Sequence, residues 1–459
     1  MANVRAEAVR PERGAEIELT VDALAHGGNG VARTDGGYVV FVAGAVPGDR
    51  VRALVTKRKR AYAEARALEV LDPSPDRIPA LADHPGAPWQ VLPYEVQLRV
   101  KQEQTEDALR RIGRLDGFAM EPIVGAEQQW RYRNKVELSF GAGDDGELVC
   151  GFHAPGSWER IVDVDDCLLV SERANEARRA VLAFCREQRL VAWDRRTHEG
   201  FLRNLVVREG RRTGELQIRL VTSEAGAGGF DGEALAAAVA GLGDPGVFWT
   251  QAPSLAETTA GGRTEHLAGP PRLAEELGGL HFEISPDAFF QTNTEMAERL
   301  YALAGEAAGL RGWERVFDLY CGIGTIGLSL AARAGEVWGV EMVEEAVADA
   351  IASARANEVA NARFFAGDVR LAMRELVERA GRPDVLVVDP PRAGLSQKVV
   401  RRIVEAGPKR IVYVSCNPTT LAPNAAQLAQ AGYVLRRVRP VDMFPQTPHV
   451  ECVALLERG

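Results

Sequence analysis

From about residue 281 onward, short apolar runs alternate with stretches of helical length. No other feature restricts the fold of this chain as strongly. The runs are Arg315 to Leu319, Val337 to Val340, Arg363 to Phe365, Val385 to Val388 and Ile411 to Val414. Parallel neighbours cannot be joined by a tight turn, so strands spaced in this way need helical crossovers. The pattern predicts a doubly wound, Rossmann-like α/β sheet over 281–459.

The first of these strands leads into Asp318-Leu319-Tyr320-Cys321-Gly322-Ile323-Gly324-Thr325-Ile326-Gly327. Gly322, Gly324 and Gly327 satisfy G-x-G-x-x-G, where glycines let the backbone approach a ligand and a helix N-terminus favours an anionic group. Glu341 ends the second strand, where a carboxylate can accept ribose hydroxyls, and Asp368 ends the third, where an acid can hold an adenine amino group. Helix N-capping is the other common use of acids at such places. To this point NAD and S-adenosylmethionine fit equally. The fourth strand ends in Asp389-Pro390-Pro391-Arg392, a turn familiar from methyltransferases and without a standard role in dehydrogenases.

The fifth strand ends in Ser415-Cys416-Asn417-Pro418. A cysteine just past a strand's carboxyl end, before a helix-starting proline, stands at the mouth of a site, although a free cysteine also serves as a small buried hydrophobe. Near the C-terminus, His449-Val450-Glu451 offers a carboxylate. Methylation at C5 of uracil needs this pair of groups. A thiolate adding at C6 makes C5 nucleophilic, and a base then removes the C5 proton so that the thiolate can leave.

Ahead of this region, Ile17 to Val21, Tyr38 to Val42 and Arg50 to Val55 read as strands, with turns at Gly27 to Gly30 and Pro47 to Asp49. They predict a small OB-like barrel over 14–72, and Pro73, Pro75 and Pro79 mark its end. The segment 73–280 reads as a central α+β domain. Its amphipathic helix over 94–112, with Val96, Val100, Ala108 and Ile112 apolar, is placed to pack on the catalytic domain. Lys135 to Phe140 and Leu216 to Leu220 alternate as half-buried antiparallel strands.

Charge is uneven. The chain carries a net −9, which argues against indiscriminate coating of nucleic acid. Basic residues nevertheless cluster at Arg50, Arg52 and Lys57 to Arg60, at Arg131, Arg133 and Lys135 beside Trp130 and Tyr132, and at Arg436, Arg437 and Arg439. Cations beside aromatics suit a partly unstacked RNA strand, and three groups on an acidic chain suggest a limited phosphate footprint.

Taken together, these residues resemble one family: the class I, S-adenosylmethionine-dependent RNA uracil-5 methyltransferases that act on tRNA and 23S ribosomal RNA. The resemblance rests on Phe289-Phe290-Gln291-Thr292-Asn293, the Asp318 to Gly327 turn, Glu341, Asp368, Asp389 to Arg392, Ser415 to Pro418 and His449 to Glu451. It implies that Cys416 is the nucleophile and Glu451 the base. It also implies that Gln291, Tyr320, Thr325, Glu341, Asp368 and Asp389 line the cofactor site. The N-terminal segment looks like a TRAM domain, an RNA-binding barrel whose presence favours 23S rRNA over tRNA as substrate. Two departures stand out. Many ribosomal members bind an iron–sulfur cluster through three cysteines before the helix at Tyr94, but Ile78 to Trp89 contains none and Cys167 resembles an orphaned fourth ligand, so neither a cluster nor any other metal is expected. Thr325 replaces an asparagine found in some members.

Composition agrees with an ordinary globular protein, 46% hydrophobic and 26% charged. The N-terminus lacks a signal-type apolar core, no run reaches the length of about 18 apolar residues that a membrane span needs, and the six cysteines lack close pairs. A cytoplasmic enzyme with RNA as partner is expected, and nothing points to an obligate protein partner. The alternatives are methylation of C5 of cytosine, a tRNA rather than an rRNA target, an inactive RNA-binding or ribosome-assembly factor, and an NAD-dependent dehydrogenase.

Overall fold

In the computed structural model, which describes residues 10–157, 159–224, 226–253, 259 and 261–459, the chain first closes five strands into a barrel. Residues 1–7, considered above for a signal-type core, lie outside the described residues. The strands are β1 (Glu16–Leu24), β2 (Gly30–Arg33), β3 (Val39–Ala43), β4 (Arg50–Arg58) and β5 (Tyr62–Asp72), in the order β1-β2-β3-β5-β4, with β1 pairing back onto β4. Alternation sends Val21, Val40, Val42, Val51, Ala53 and Val55 inward as an apolar plug. The β1–β2 turn uses Gly27 and Gly28 at φ 96° and 93°, where a Cβ would be strained.

The expected helix over 94–112 is α1 (Tyr94–Asp107) followed by a π-turn at Ala108–Ile112. Of its apolar residues, Val96 and Val100 pack against Trp89 and Leu92 and Ala108 is buried, but the fully buried stripe is polar. Gln97, Lys101 and Thr105, spaced by four, are buried, while Ile112 is exposed. Their partners are distant in sequence. Lys101 Nζ lies 2.6 Å from Asp442 Oδ1 and donates to Phe444 O, and the Gln97 side chain exchanges two hydrogen bonds with Gln446. Burying a polar stripe is tolerable only because each group is paired.

After the two-residue strand β6 (Ala119–Met120) comes a seven-stranded sheet in the order β13-β12-β11-β10-β7-β8-β9. Its strands are β7 (Lys135–Ala142), β8 (Leu148–His153), β9 (Ile161–Asp163), β10 (Leu202–Glu209), β11 (Leu216–Ser223), β12 (Gly246–Ala252) and β13 (Arg263–Ala268), with α2 (Glu172–Glu187) and α3 (Gly232–Val239) between them. β10 and β11 pair antiparallel as expected, but β11 is buried on both faces rather than half-buried. Its polar residues meet the segment that precedes Phe289. Arg219 pairs with Asp287, Arg208 of β10 donates to Ala288 O (2.8 Å), and Gln217 donates to Ile284 O (3.4 Å).

The hairpin β14 (Leu273–Leu277) and β15 (Leu280–Ile284) leads through α4 (Thr294–Ala308) into an eight-stranded sheet. Its parallel strands are β16 (Arg315–Leu319), β17 (Glu336–Glu341), β18 (Ala362–Ala366), β19 (Val385–Val388) and β20 (Arg410–Ser415). The crossovers are α5 (Thr325–Ala331), α6 (Glu344–Ala356), α7 (Val369–Ala380) and α8 (Gln397–Ala406). α9 (Pro418–Gln430) leads to the antiparallel pair β21 (Tyr433–Val441) and β22 (Glu451–Arg458). The order is β18-β17-β16-β19-β20-β22-β21-β6, so the direction of winding reverses between β16 and β19. One apolar layer packs the first face with α4, α5 and α6, and a second packs the other with α7, α8 and α9. Ligand sites form at such a switch point, beyond the strands' carboxyl ends.

Most of the expected cationic residues form ion pairs within the chain, many of them at the exposed surface, whereas Arg133 has no carboxylate partner among the described residues. Arg50 pairs with Glu18 and Asp72, Arg52 with Glu69, Lys57 with Glu64, Arg131 with Asp166, Lys135 with Glu137, Arg436 with Glu457, and Arg437 and Arg439 with Glu121. The acids come from neighbouring strands and loops, mostly far away in sequence. Among the described residues Arg58, Lys59 and Arg60 have no carboxylate partner, and all three are exposed at the β4–β5 tip.

Candidate active site

The residues singled out in sequence gather along one edge of the eight-stranded sheet. Tyr320, Glu341, Asp389 and Cys416 stand at or just past the carboxyl ends of β16, β17, β19 and β20, and Asp368 follows β18. β22 runs antiparallel to β20 with Ser415 opposite Cys452, so continuing that register sets Cys416 opposite Glu451. Two groups 35 residues apart in sequence are thereby brought side by side by strand pairing.

Asn417 fixes the cysteine turn. Its side chain caps α9 by accepting from Thr419 N (3.0 Å), with Pro418 at the first helical position. Its amide donates to Arg392 O (3.3 Å), tying the Asp389 turn to the cysteine turn. Cys416 is half-buried, whereas the other five cysteines, all free, are buried. Burial pushes its thiol up to about 11, Glu451 and Asp389 add to the rise, and Arg392 opposes it. Glu451 is 3% exposed and its Oε2 has no partner. Burial first, and the charge of Asp389 second, raise its carboxyl well above the usual range. Burial lifts Asp389 to about 7.

The glycine turn forms the other half of the edge. Asp318, buried, accepts from Gly327 N (2.8 Å) through one oxygen and leaves Oδ1 unpartnered; burial raises it to about 7. Glu341 accepts from Gly322 N (3.2 Å) and from Met342 N (2.7 Å). Asp368 caps α7 and pairs with Arg370, so the capping use weighed in sequence is realised. Thr325 donates to Tyr301 Oη (3.0 Å), and Tyr320 is half-buried at φ 62°. Gln291 is 5% exposed, and its carbonyl accepts from Asn134 Nδ2 (2.8 Å). Asn293 caps α4 and donates to Met443 O (3.0 Å), which joins this motif to the loop before Glu451.

This edge is suited to a ligand with a cationic head. Asp318, Glu341 and Asp389 converge on it, one oxygen of Asp318 lacks a donor, and a Cβ at Gly322 would meet no atom within 4 Å. A metal ion fits less well: among the described residues no group of three or more His, Cys, Asp or Glu is arranged to hold one. Cys167 contacts His84 Nε2 at 3.3 Å, and its amide donates to Asn175.

Two motif residues that were given no role in sequence stand out. Arg392, exposed and without a carboxylate partner among the described residues, is the cation that acts on Cys416. Phe289 is 66% exposed although its neighbour Phe290 is buried. Its place in the Phe-Phe-Gln motif was visible, but which of the two rings faces outward was not.

Comparison with known proteins gives these residues a context. The tRNA (Uracil-5-)-methyltransferase family matches residues 277–459, and the TRAM domain matches residues 10–68. An uncharacterized RNA methyltransferase of Halalkalibacterium halodurans is 39% identical over 447 residues, covering 96% of each chain. Another, from Chlorobaculum tepidum, is 38% identical, covering 98% of each. The chain belongs to the RNA uracil-5 methyltransferase family. Among solved structures, the Pyrococcus abyssi tRNA (uracil-54, C5)-methyltransferase in complex with S-adenosyl-L-homocysteine is similar over 96% of this chain and 100% of that one. The two are 28% identical, with a TM-score of 0.74. This family member is an enzyme acting on RNA, with a TRAM barrel ahead of its methyltransferase sheet. No helix among the described residues is long and apolar enough to cross a membrane.

Proposed function

We propose that the protein methylates C5 of a uridine in structured RNA, with 23S rRNA as the substrate, through a covalent bond between Cys416 and C6. The observation that supports this reading is the pairing of Ser415 with Cys452, whose continuation brings Cys416 and Glu451 together at the edge where the glycine turn also ends. S-adenosylmethionine, held by Gln291, Tyr320, Thr325, Glu341, Asp368 and Asp389, supplies an electrophilic methyl group when bound.

The chain's own residues do the rest. Cys416 Sγ bonds to C6 and the ring electrons move onto the C4 oxygen, which makes C5 nucleophilic. After C5 is methylated, Glu451 takes the C5 proton, the electron pair restores the C5–C6 double bond, and the sulfur leaves. A carboxylate whose proton affinity is raised by burial suits that removal. Arg392 favours the thiolate against the two neighbouring acids. Phe289, exposed beside Gln291, supports a stacking role toward a base drawn out of its helix.

The TRAM barrel supports an RNA substrate but not one RNA over the other, because the similarity to the Pyrococcus abyssi tRNA enzyme extends over the barrel as well. That likeness favours the second reading, a tRNA uridine. Mapping 5-methyluridine in both RNAs, with and without the protein, separates them. Loss of a single 23S rRNA site supports the first reading, loss of a tRNA site supports the second, and 5-methylcytidine as product contradicts both.

A further inference from the structure

The barrel is seated on the catalytic region, and the seat is its β1–β2 loop. Leu24, at the end of β1, packs with Val46, Trp89 and Leu92, and its carbonyl accepts from Gln104 of α1 (2.9 Å). Gly28 approaches so closely that a Cβ there would lie 3.0 Å from Pro448 and 3.1 Å from Trp89 Nε1. Pro448 stands three residues before Glu451. His26 lies between these two anchors, and both of its ring nitrogens are shielded from solvent without a hydrogen-bond partner.

Arg392 and His449 both belong to this corner: Arg392 depresses the basicity of His26 and His449, and His26 acts in turn on His449. Burial is the larger cause for each imidazole, and His449 is brought to about 4. Arg392 itself has no carboxylate partner among the described residues. An imidazole with no partner for either ring nitrogen and a guanidinium with no carboxylate partner, close enough for one charge to act on the other, leave donors free for an anion.

We propose that His26, carried by the TRAM barrel, completes the target pocket by donating a ring N–H to the RNA phosphate next to the modified uridine, the phosphate that Arg392 also contacts. The barrel is then part of the active site as well as an RNA tether. The inference rests on the uridine-methylation reading and adds a substrate contact to it.

The test uses the full-length protein and a uridine-containing stem–loop oligoribonucleotide that the wild-type protein methylates. Companion oligonucleotides carry a neutral methylphosphonate at the 5′ or the 3′ phosphate of that uridine. With the all-phosphate RNA, His26→Phe should raise KM by about tenfold, more than it lowers kcat, and His26→Gln, which keeps an N–H, should recover part of the loss. One methylphosphonate should weaken wild-type binding by about tenfold and His26→Phe binding by severalfold less, because the His26 contact is already gone and only that of Arg392 is left to lose. Equal losses in both proteins at both phosphates would overturn the proposal, as would a His26→Phe defect confined to kcat. A wild-type protein that methylates no RNA would overturn the function reading and this proposal with it. Normal methylation with additive losses would remove this proposal alone.

Discussion

Cys416 occupies surroundings that work against its own ionisation, since burial and two acids hold its proton, while Arg392 and a backbone hydrogen bond help release it. Its alkylation by iodoacetamide should therefore accelerate about tenfold per pH unit from neutrality toward pH 11. Removing the guanidinium with Arg392→Gln raises the thiol further and should slow labelling at pH 8. Peptide mapping checks both, and the five buried cysteines should label later. Asp318 gives a stability prediction. Its carboxyl is raised to about 7 in the fold and titrates near 3.9 when unfolded, so the native state holds the extra proton between these values. Stability from this group is present at low pH and falls as the pH rises toward 7. Asp318→Asn should raise the melting temperature relative to wild type at pH 8 and do so far less at pH 4, read by thermal unfolding without cofactor. At this scale the positions of Cys416 and Asp389 just past strands were legible because spacing after strands is a local signal, whereas Glu451, which opens β22, was assigned its role only through the resemblance. Their electrostatics were not legible, because burial depends on neighbours from four strands.

At the scale of elements, the parallel strands and the barrel strands were readable because each carries its own periodicity and turn residues. Helix α1 was only half readable. Its buried stripe is Gln97, Lys101 and Thr105, and the partners that make burial tolerable, Asp442, Phe444 and Gln446, lie more than 300 residues away. The Lys101–Asp442 pair pins the loop that ends at Glu451, with help from Tyr132, which donates to Pro445 O (3.0 Å). Lys101→Met leaves a buried carboxylate unpaired and should cost about 3–5 kcal/mol in urea unfolding. The pair Lys101→Met with Asp442→Leu should recover much of that. A single-variant cost below about 1 kcal/mol would mean that the loop is held by other contacts.

For the whole molecule, the basic groups look like an RNA footprint in sequence, and in the fold most of them pair with acids of the same chain, many at the exposed surface. That could not be read from the chain, since Arg437 finds Glu121 across 316 residues. Among the basic residues singled out in sequence, Arg58, Lys59 and Arg60 at one barrel tip and Arg133 have no carboxylate partner among the described residues, and Arg392 stands beside Cys416. RNA affinity should then depend only moderately on salt. Changing Arg58, Lys59 and Arg60 together to alanine should lower the slope of log Kd against log salt by about 2, as expected for two or three lost contacts. The central claim is that the sulfur of Cys416 bonds to the uracil ring. It is tested most directly by intact-mass and peptide analysis of the protein incubated with S-adenosylmethionine and an RNA carrying 5-fluorouridine at the target. With no C5 proton for Glu451 to remove, the account predicts a stable protein–RNA adduct that carries one added methyl and is linked at Cys416. An adduct at another residue, or none from an RNA whose uridine form is methylated, would contradict it.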